Sequence, residues 1–527
     1  MRRPVGRLRT LAAILAMSAP VSGMTADWLQ FGYDPAHSGN NTAETTLGAG
    51  NVASLTKRYK IDLAASADSA PVFLSGITTS EGTRDLLFVE TIIGQLMALD
   101  ADDGETVWSQ QPMIQGLAVT TSTPAIDPGR QFIYAYGLDG YVHKYQVGDG
   151  TEIVSGGWPQ LVTKKPDVEK CAAGLSIATV PGGATYLYVV TDGGISGDGG
   201  DYQGHVVTID LASGTQTTFN AQCSNLSTHL VEDQSASALG STACPQIKYP
   251  FPGNSGIWGR PGAIYDAGTN RVFIATGNGL FDAKDTLFRA AFEPMTSGFD
   301  WADSVLALNP DGSGRGQGPL DSYTPGNYQT LQGNDEDLGS TSPALLPAPA
   351  TSHFAHLAMQ GGKDAKLRLL NLDDLSGNAG PGFVSCNGGP SCATSEIQTL
   401  AVPQAGQVKP QPAVWVDSHG DGATWTFVAT GNGLSALKLV VDGAGKPSLS
   451  AQWPAALGGN TTSPVIANDV VYAANGVNVI AVDPKTGTTL WTSVVINGGF
   501  HWQSLIVVNG RVYVPDNSAH LWVFALP

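Results

Sequence analysis

The chain repeats a short phrase: a strand, a turn carrying aspartate, a glycine, then an aromatic. It reads AVDPKTGTTLW from Ala481 to Trp491, ALDADDGETVW from Ala98 to Trp108 and, more loosely, TIDLASGTQTTF from Thr208 to Phe219. The alternating apolar runs around Leu99 and Val482 predict strands. The aspartate side chain can bond nearby backbone, and the glycine supplies the positive φ of a tight turn. The aromatic then opens the next strand and offers a large apolar face to a neighbouring module. Repeats at this spacing imply modules that bury their cores against one another.

A second recurring signal counts the modules. Ser/Thr-Pro or related turns precede Val- or Ala-rich runs at Ser69-Ala70-Pro71, Ser122-Thr123-Pro124, Ser342-Pro343, Gln411-Pro412 and Ser463-Pro464. Weaker equivalents stand at Gly174-Leu175, Arg260-Pro261 and Gln503-Ser504. Proline suits the first residue of a strand, where no ladder donor is lost. Together they predict eight modules, spaced roughly as four-stranded blades with loop insertions would be. The last strand, His520 to Leu526, has no turn and aromatic after it, and the segment Leu55 to Asp62 could supply its partner. Pairing the two removes an exposed sheet edge. The fold class is therefore all-β: one eight-bladed β-propeller of four-stranded antiparallel blades over residues 27–527, its ring closed by the N- and C-terminal strands.

Composition agrees, with 65 glycines, 32 prolines and only 14% charged residues. A formal net charge of −18 argues against nucleic acid or an anionic membrane as partner. Residues 1–26 read as a secretory signal: Arg2, Arg3, Arg7 and Arg9, then an apolar run from Leu11 to Val21 too short to span a bilayer. The mature protein is expected to be periplasmic or secreted. Of five cysteines, Cys386–Cys392 is the expected disulfide, Cys223–Cys244 the next, and Cys171 is left over, although spacing alone permits other pairings. No C-x-x-C-H for haem and no zinc spacing occurs.

The repeated phrase, the eight modules and the opening DWLQFGYDPAHSGNN (Asp27 to Asn41) resemble the pyrroloquinoline quinone (PQQ) repeat propellers. That group includes quinoprotein alcohol and polyvinyl-alcohol dehydrogenases as well as non-catalytic scaffolds, so the likeness implies the fold before any activity. IWGRPGAIYDAGTNRVFIATGN, Ile257 to Asn278, is similar to a central segment of the dehydrogenases. The resemblance implies that Trp258 forms the floor under the quinone ring and that Asn278 binds calcium. GGKDAKLRLLNLD, Gly361 to Asp373, likewise makes Lys363 the cation facing the quinone oxygens. Where the family has a calcium-binding glutamate, the loop from Thr191 to Asp210 has none, and Asp201 or Asp198 would substitute.

The catalytic base departs from the family pattern. Its T-P-G-D-type turn reads TPGN here and puts Asn327 at the aspartate position, and an amide cannot act as a general base. Asp335 and Asp337 follow in a segment similar to the family's D-F-D-F-G-S-S-P. The adjacent cysteine pair of several members is missing. Two readings follow. One is a PQQ- and calcium-dependent oxidoreductase of alcohols or polyols, passing electrons to a separate acceptor. The other is a non-catalytic propeller that binds a protein or polymer. A glycan hydrolase or a serine hydrolase finds no assignable carboxylate pair and no G-x-S-x-G elbow.

Overall fold

The computed structural model describes residues 26–111, 119–193, 200–226, 229–232, 254–282, 299–377, 395–456, 459 and 461–527. The expected signal segment, Asp198, Cys244, Cys386 and Cys392 lie outside these. Eight antiparallel sheets form the blades of a propeller. Their innermost strands are Val72–Thr79, Ala125–Ile126, Ser176–Thr179, Ile264–Asp266, Ala344–Pro347, Ala413–Val416, Val465–Ala467 and Ile506–Val508. Each follows one of the turns singled out in the sequence, the weak copies included. The eighth blade takes its outer strand from Thr56–Asp62, which pairs with His520–Ala525 and closes the ring.

The phrase residues explain how the blades lock. Asp483 accepts the amides of Lys485 and Thr486, and Asp210 those of Ala212 and Ser213, which builds each tight turn. The tryptophan then reaches across to the next blade: Trp108 Nε1 donates to the Val147 carbonyl, and Trp491 Nε1 to that of Leu55. Trp453 does the same to Pro484 from a blade whose sequence lacks the phrase. Glycine at the receiving turn is required twice over. Gly150 and Gly487 have φ near +70°, and a Cβ on either would lie 2.7 Å from the neighbouring indole. Burial of one such indole stabilises by roughly 4–6 kcal/mol as an upper figure, so these contacts are main inter-blade links.

The turns that open the innermost strands bond around the ring as well. Thr123 Oγ1 accepts from the Ala70 amide, Ser342 Oγ donates to the Gly262 carbonyl, and Ser463 Oγ accepts from the Gln411 amide. This hydroxyl girdle is the physical reason for Ser and Thr beside the prolines. At the other end of the strands the segment from Trp28 to Asn41 crosses the ring. It bridges to Phe73, bonds the amides of Ile126, Tyr265 and Val414, and adds Asn40–Asn41 in parallel to Ile466–Ala467. Among the described residues no helix is long and apolar enough to cross a membrane. Cys171 is a buried free thiol, and Cys223 is disulfide-bonded.

Candidate functional site

The girdle turns and the ends of the second strands gather polar and aromatic side chains at one end of the channel. Trp258 precedes the Arg260-Pro261 turn, and Lys363 follows the strand His356–Gly361. The Lys363 ammonium lies 5.1 Å from the centre of the Trp258 ring. It also stands 2.7 Å from Asp337 Oδ2 and 3.1 Å from Asp335 Oδ1. Asn278 closes the group: its amide nitrogen donates to Asp337 Oδ1 at 2.8 Å, and its side chain to Asp335 Oδ1 at 3.3 Å.

The two aspartates differ in character. Asp335 is exposed and caps the helix Tyr328–Asn334 in the left-handed conformation. Asp337 is buried, and burial raises its pKa against the lowering pull of Lys363. Behind it, Asp303 accepts the Leu338 amide through Oδ1 while its buried Oδ2 has no hydrogen-bond partner. Burial, reinforced by Asp337, pushes the Asp303 carboxyl well above the usual range. Burial and the neighbouring Asp337 thus both favour the protonated form of Asp303.

Beside this cluster lies a cavity of about 430 Å³, bordered by Arg260, Lys409, Trp502 and the hydroxyls of Thr461, Thr462 and Ser463. Trp502 meets Trp258 edge to face, ring centres 5.7 Å apart. Asp68 fixes this wall, accepting from Gln503 Nε2 at 2.5 Å and facing His501 Nδ1 at 2.8 Å.

Comparisons with known proteins place this geometry in context. Residues 42–236 match the PQQ-repeat family model described as outer membrane protein assembly factor BamB. Over that stretch the chain carries repeats of the PQQ type. Among solved structures it resembles the europium-containing methanol dehydrogenase (TM-score 0.61, 13% identity, 95% of this chain and 98% of that one). It also resembles quinohemoprotein alcohol dehydrogenase ADHIIG of Pseudomonas putida HK5 (0.60, 14%, 95% and 80%) and the quinohemoprotein alcohol dehydrogenase of Comamonas testosteroni (0.59, 14%, 95% and 80%). At such identity the likeness is one of fold. None of the curated proteins matches the sequence.

Within this propeller, the residues singled out in the sequence divide into groups. Trp258, Lys363, Asn278, Asp335 and Asp337 come together. Asn327 does not join them through its side chain in any described contact. It stands before the first turn of the helix Tyr328–Asn334, with Asp335 and Asp337 beyond the far end. Asp201 is fully buried in another cluster, where Lys165 bonds its carbonyl and stands 3.8 Å from its carboxylate. Glu169 and His205 complete that group. Sequence reasoning missed Arg260, Lys409, Trp502 and Asp303. For Arg260, Lys409 and Trp502 a signal existed, since each sits within two residues of a girdle turn. Asp303 lies beside no such turn.

The donor chemistry decides what the site could hold. Aromatic Trp258 and Trp502 beside cations suit a planar polyanion such as PQQ. Asn278, Asp335 and Asp337 are hard oxygen donors of the kind calcium takes. As they stand, however, both carboxylates are ion-paired to Lys363. Among the described residues no group of three or more His, Cys, Asp or Glu is arranged to hold a metal ion. The residues suit the quinone; with both carboxylates engaged by Lys363, the described residues do not make a calcium site.

Proposed function

We propose that this propeller is a quinone-dependent oxidoreductase of the dehydrogenase type, acting on an alcohol or polyol in the periplasm or outside the cell. The observation that carries the reading is the convergence of Trp258, Lys363, Asn278 and Asp335 at one mouth of the ring. PQQ, when bound, supplies a two-electron acceptor. Trp258 gives the ring a flat apolar floor. Lys363 stands over that floor and links it to the carboxylates. Asp335, exposed and ion-paired, is the carboxylate that takes the substrate hydroxyl proton. Electrons would leave to a separate acceptor, since the sequence has no covalent haem motif.

The test is quenching of tryptophan fluorescence by PQQ, with and without calcium, followed by dye-coupled alcohol oxidation. Saturable binding weakened by Trp258→Ala, with turnover lost in Asp335→Asn, supports the reading. Absence of binding at high PQQ concentration overturns it. The match of residues 42–236 to the BamB model favours the second reading, a scaffold for a protein or polymer partner.

A further inference from the structure

The segment that crosses the ring stitches its blades together and leaves one stitch out. From Trp28 to Asn41 it bonds the innermost strands of seven blades. Trp28 exchanges two backbone bonds with Phe73, and the amides of Ile126, Tyr265, Val414 and Ile466 donate to the carbonyls of Leu29, Pro35, Ser38 and Gly39. Gln30 Oε1 accepts from the Ile177 amide, and Asn41 Nδ2 donates to the Val507 carbonyl. The strand Ala344–Pro347, of the fifth blade, makes no such bond among the described residues. Between Pro35 and Ser38 the segment turns toward the third blade instead, where His37, at φ +49°, bonds Ser176 Oγ through Nε2.

The register shows what is left open. The Leu372 amide donates to the His356 carbonyl, so His356 turns its backbone groups toward the third strand of the blade. Leu357, one residue on, turns its own toward Leu346, its partner in the ladder. Leu345 therefore points its N–H and C=O away from the blade, as Phe73 does toward Trp28, and neither group has a described hydrogen-bond partner. Pro347, next in that register, has no N–H and accepts Thr424 Oγ1 at its carbonyl. Leu345 borders a cavity of about 580 Å³ beside the crossing segment, lined also by Tyr33, Tyr265, Leu357 and Val414. Its acidic lining groups are Asp266 and Asp34, the latter raised in pKa by burial, and no Lys or Arg is among the described lining.

We propose that the open inner edge at Leu345 docks an extended peptide of a partner protein. One residue of that peptide makes the bridge that Trp28 makes to Phe73, and its large apolar side chain fills the cavity. The chain's own use of the mode is the argument for this occupant: Trp28, so bridged, is buried to 1% exposure. Pro347 restricts the addition to a single bridge, so the side chain supplies most of the affinity and Leu345 fixes the orientation. The acidic lining favours basic residues on either side of the apolar one. No residue of this cavity belongs to the proposed quinone site, so the two readings stand or fall separately.

The probes are labelled, end-capped pentapeptides with lysine at both ends and tryptophan, leucine or phenylalanine at the centre, titrated against the full chain by fluorescence anisotropy. At least one should bind saturably. Methylating its central amide nitrogen, which removes the bond to the Leu345 carbonyl, should weaken it about three- to tenfold, the worth of one backbone hydrogen bond. Leu345→Pro removes the donor without losing a ladder bond and should do the same; if that variant fails to fold, the methylated peptide carries the test on the unchanged protein. Ala355→Trp, at an exposed position of the lining, should block binding. In hydrogen exchange resolved to single amides, Leu345 should exchange readily in the free protein and slow when the peptide is bound. A Leu345 amide already protected in the free protein shows that the chain covers this edge itself, and overturns the proposal. Binding that Ala355→Trp blocks but that neither the methyl group nor Leu345→Pro weakens also overturns it, and assigns the cavity to an apolar ligand. No saturable binding of any of the three peptides overturns it and leaves the quinone reading untouched.

Discussion

Lys363 Nζ stands 2.7 Å from Asp337 Oδ2, and both side chains are largely buried, 13% and 5% exposed. Removing one partner of such a pair leaves the other charge uncompensated, which is costlier than never having the pair. Lys363→Met should therefore cost about 3–5 kcal/mol of stability, read from urea denaturation. The double variant with Asp337→Asn should recover a substantial part of the loss. Additive losses would show that the pair is not the source of the effect.

The inter-blade lock makes a prediction that leaves the site untouched. In Gly487→Ala the new Cβ meets Trp453 at 2.7 Å, and φ at +70° is already unfavourable for a side chain. Strain and displacement of the indole together should cost about 2 kcal/mol or more. Gly443→Ala, which meets nothing within 4 Å, should be close to neutral. Equal midpoints in thermal unfolding would refute the packing account of the repeated phrase.

Glu90 gives the fold a pH dependence. It is fully buried, Ser122 bonds one of its oxygens, and the other has no partner. Burial raises its pKa from 4.5 to about 8. Between those values the folded state holds a proton that the unfolded chain has released, so Glu90's contribution to stability is fully present below about pH 4.5. It is lost as pH rises toward 8, by about 1.4 kcal/mol for each pH unit. Glu90→Gln, neutral at every pH, should flatten that slope and be more stable than the parent at pH 8. A slope that is the same in both proteins would assign the dependence elsewhere.

The ring was legible in the sequence because its signals are local. Proline before a strand, aspartate and glycine in a turn, and a final strand lacking its partner all speak within a dozen residues. The orphaned C-terminal strand alone was enough to point to Thr56–Asp62 as its partner. Of the site residues only Trp258 lies beside such a signal, the Arg260-Pro261 turn; Lys363, Asn278, Asp335 and Asp337 were reached through the family resemblance. The surroundings of Arg260 could not be read, because they depend on which carbonyls three separate turns present to it. Asp337 was harder to place than to notice. The short helix before it carries the chain from the Asn327 turn back toward Asn278, and seven residues show no periodicity to announce it.

That helix also decides between two candidate bases. Seven residues at about 1.5 Å each separate the ends of Tyr328–Asn334 by roughly 10 Å. A carboxylate at residue 327 would stand at the end away from Lys363, while Asp335 stands beside it. Asn327→Asp, the change that restores the family's turn, should leave PQQ affinity and any turnover within about twofold. Asp335→Asn should lower kcat by about 100-fold or more, the usual worth of a positioned proton acceptor, with KM little changed. Asp335→Glu should recover part of the loss and shift the acid limb of the pH–rate profile, which a merely structural aspartate would not do. If Asn327→Asp instead raised kcat strongly while Asp335→Asn were silent, the base would belong to the turn and the assignment of Asp335 would fall.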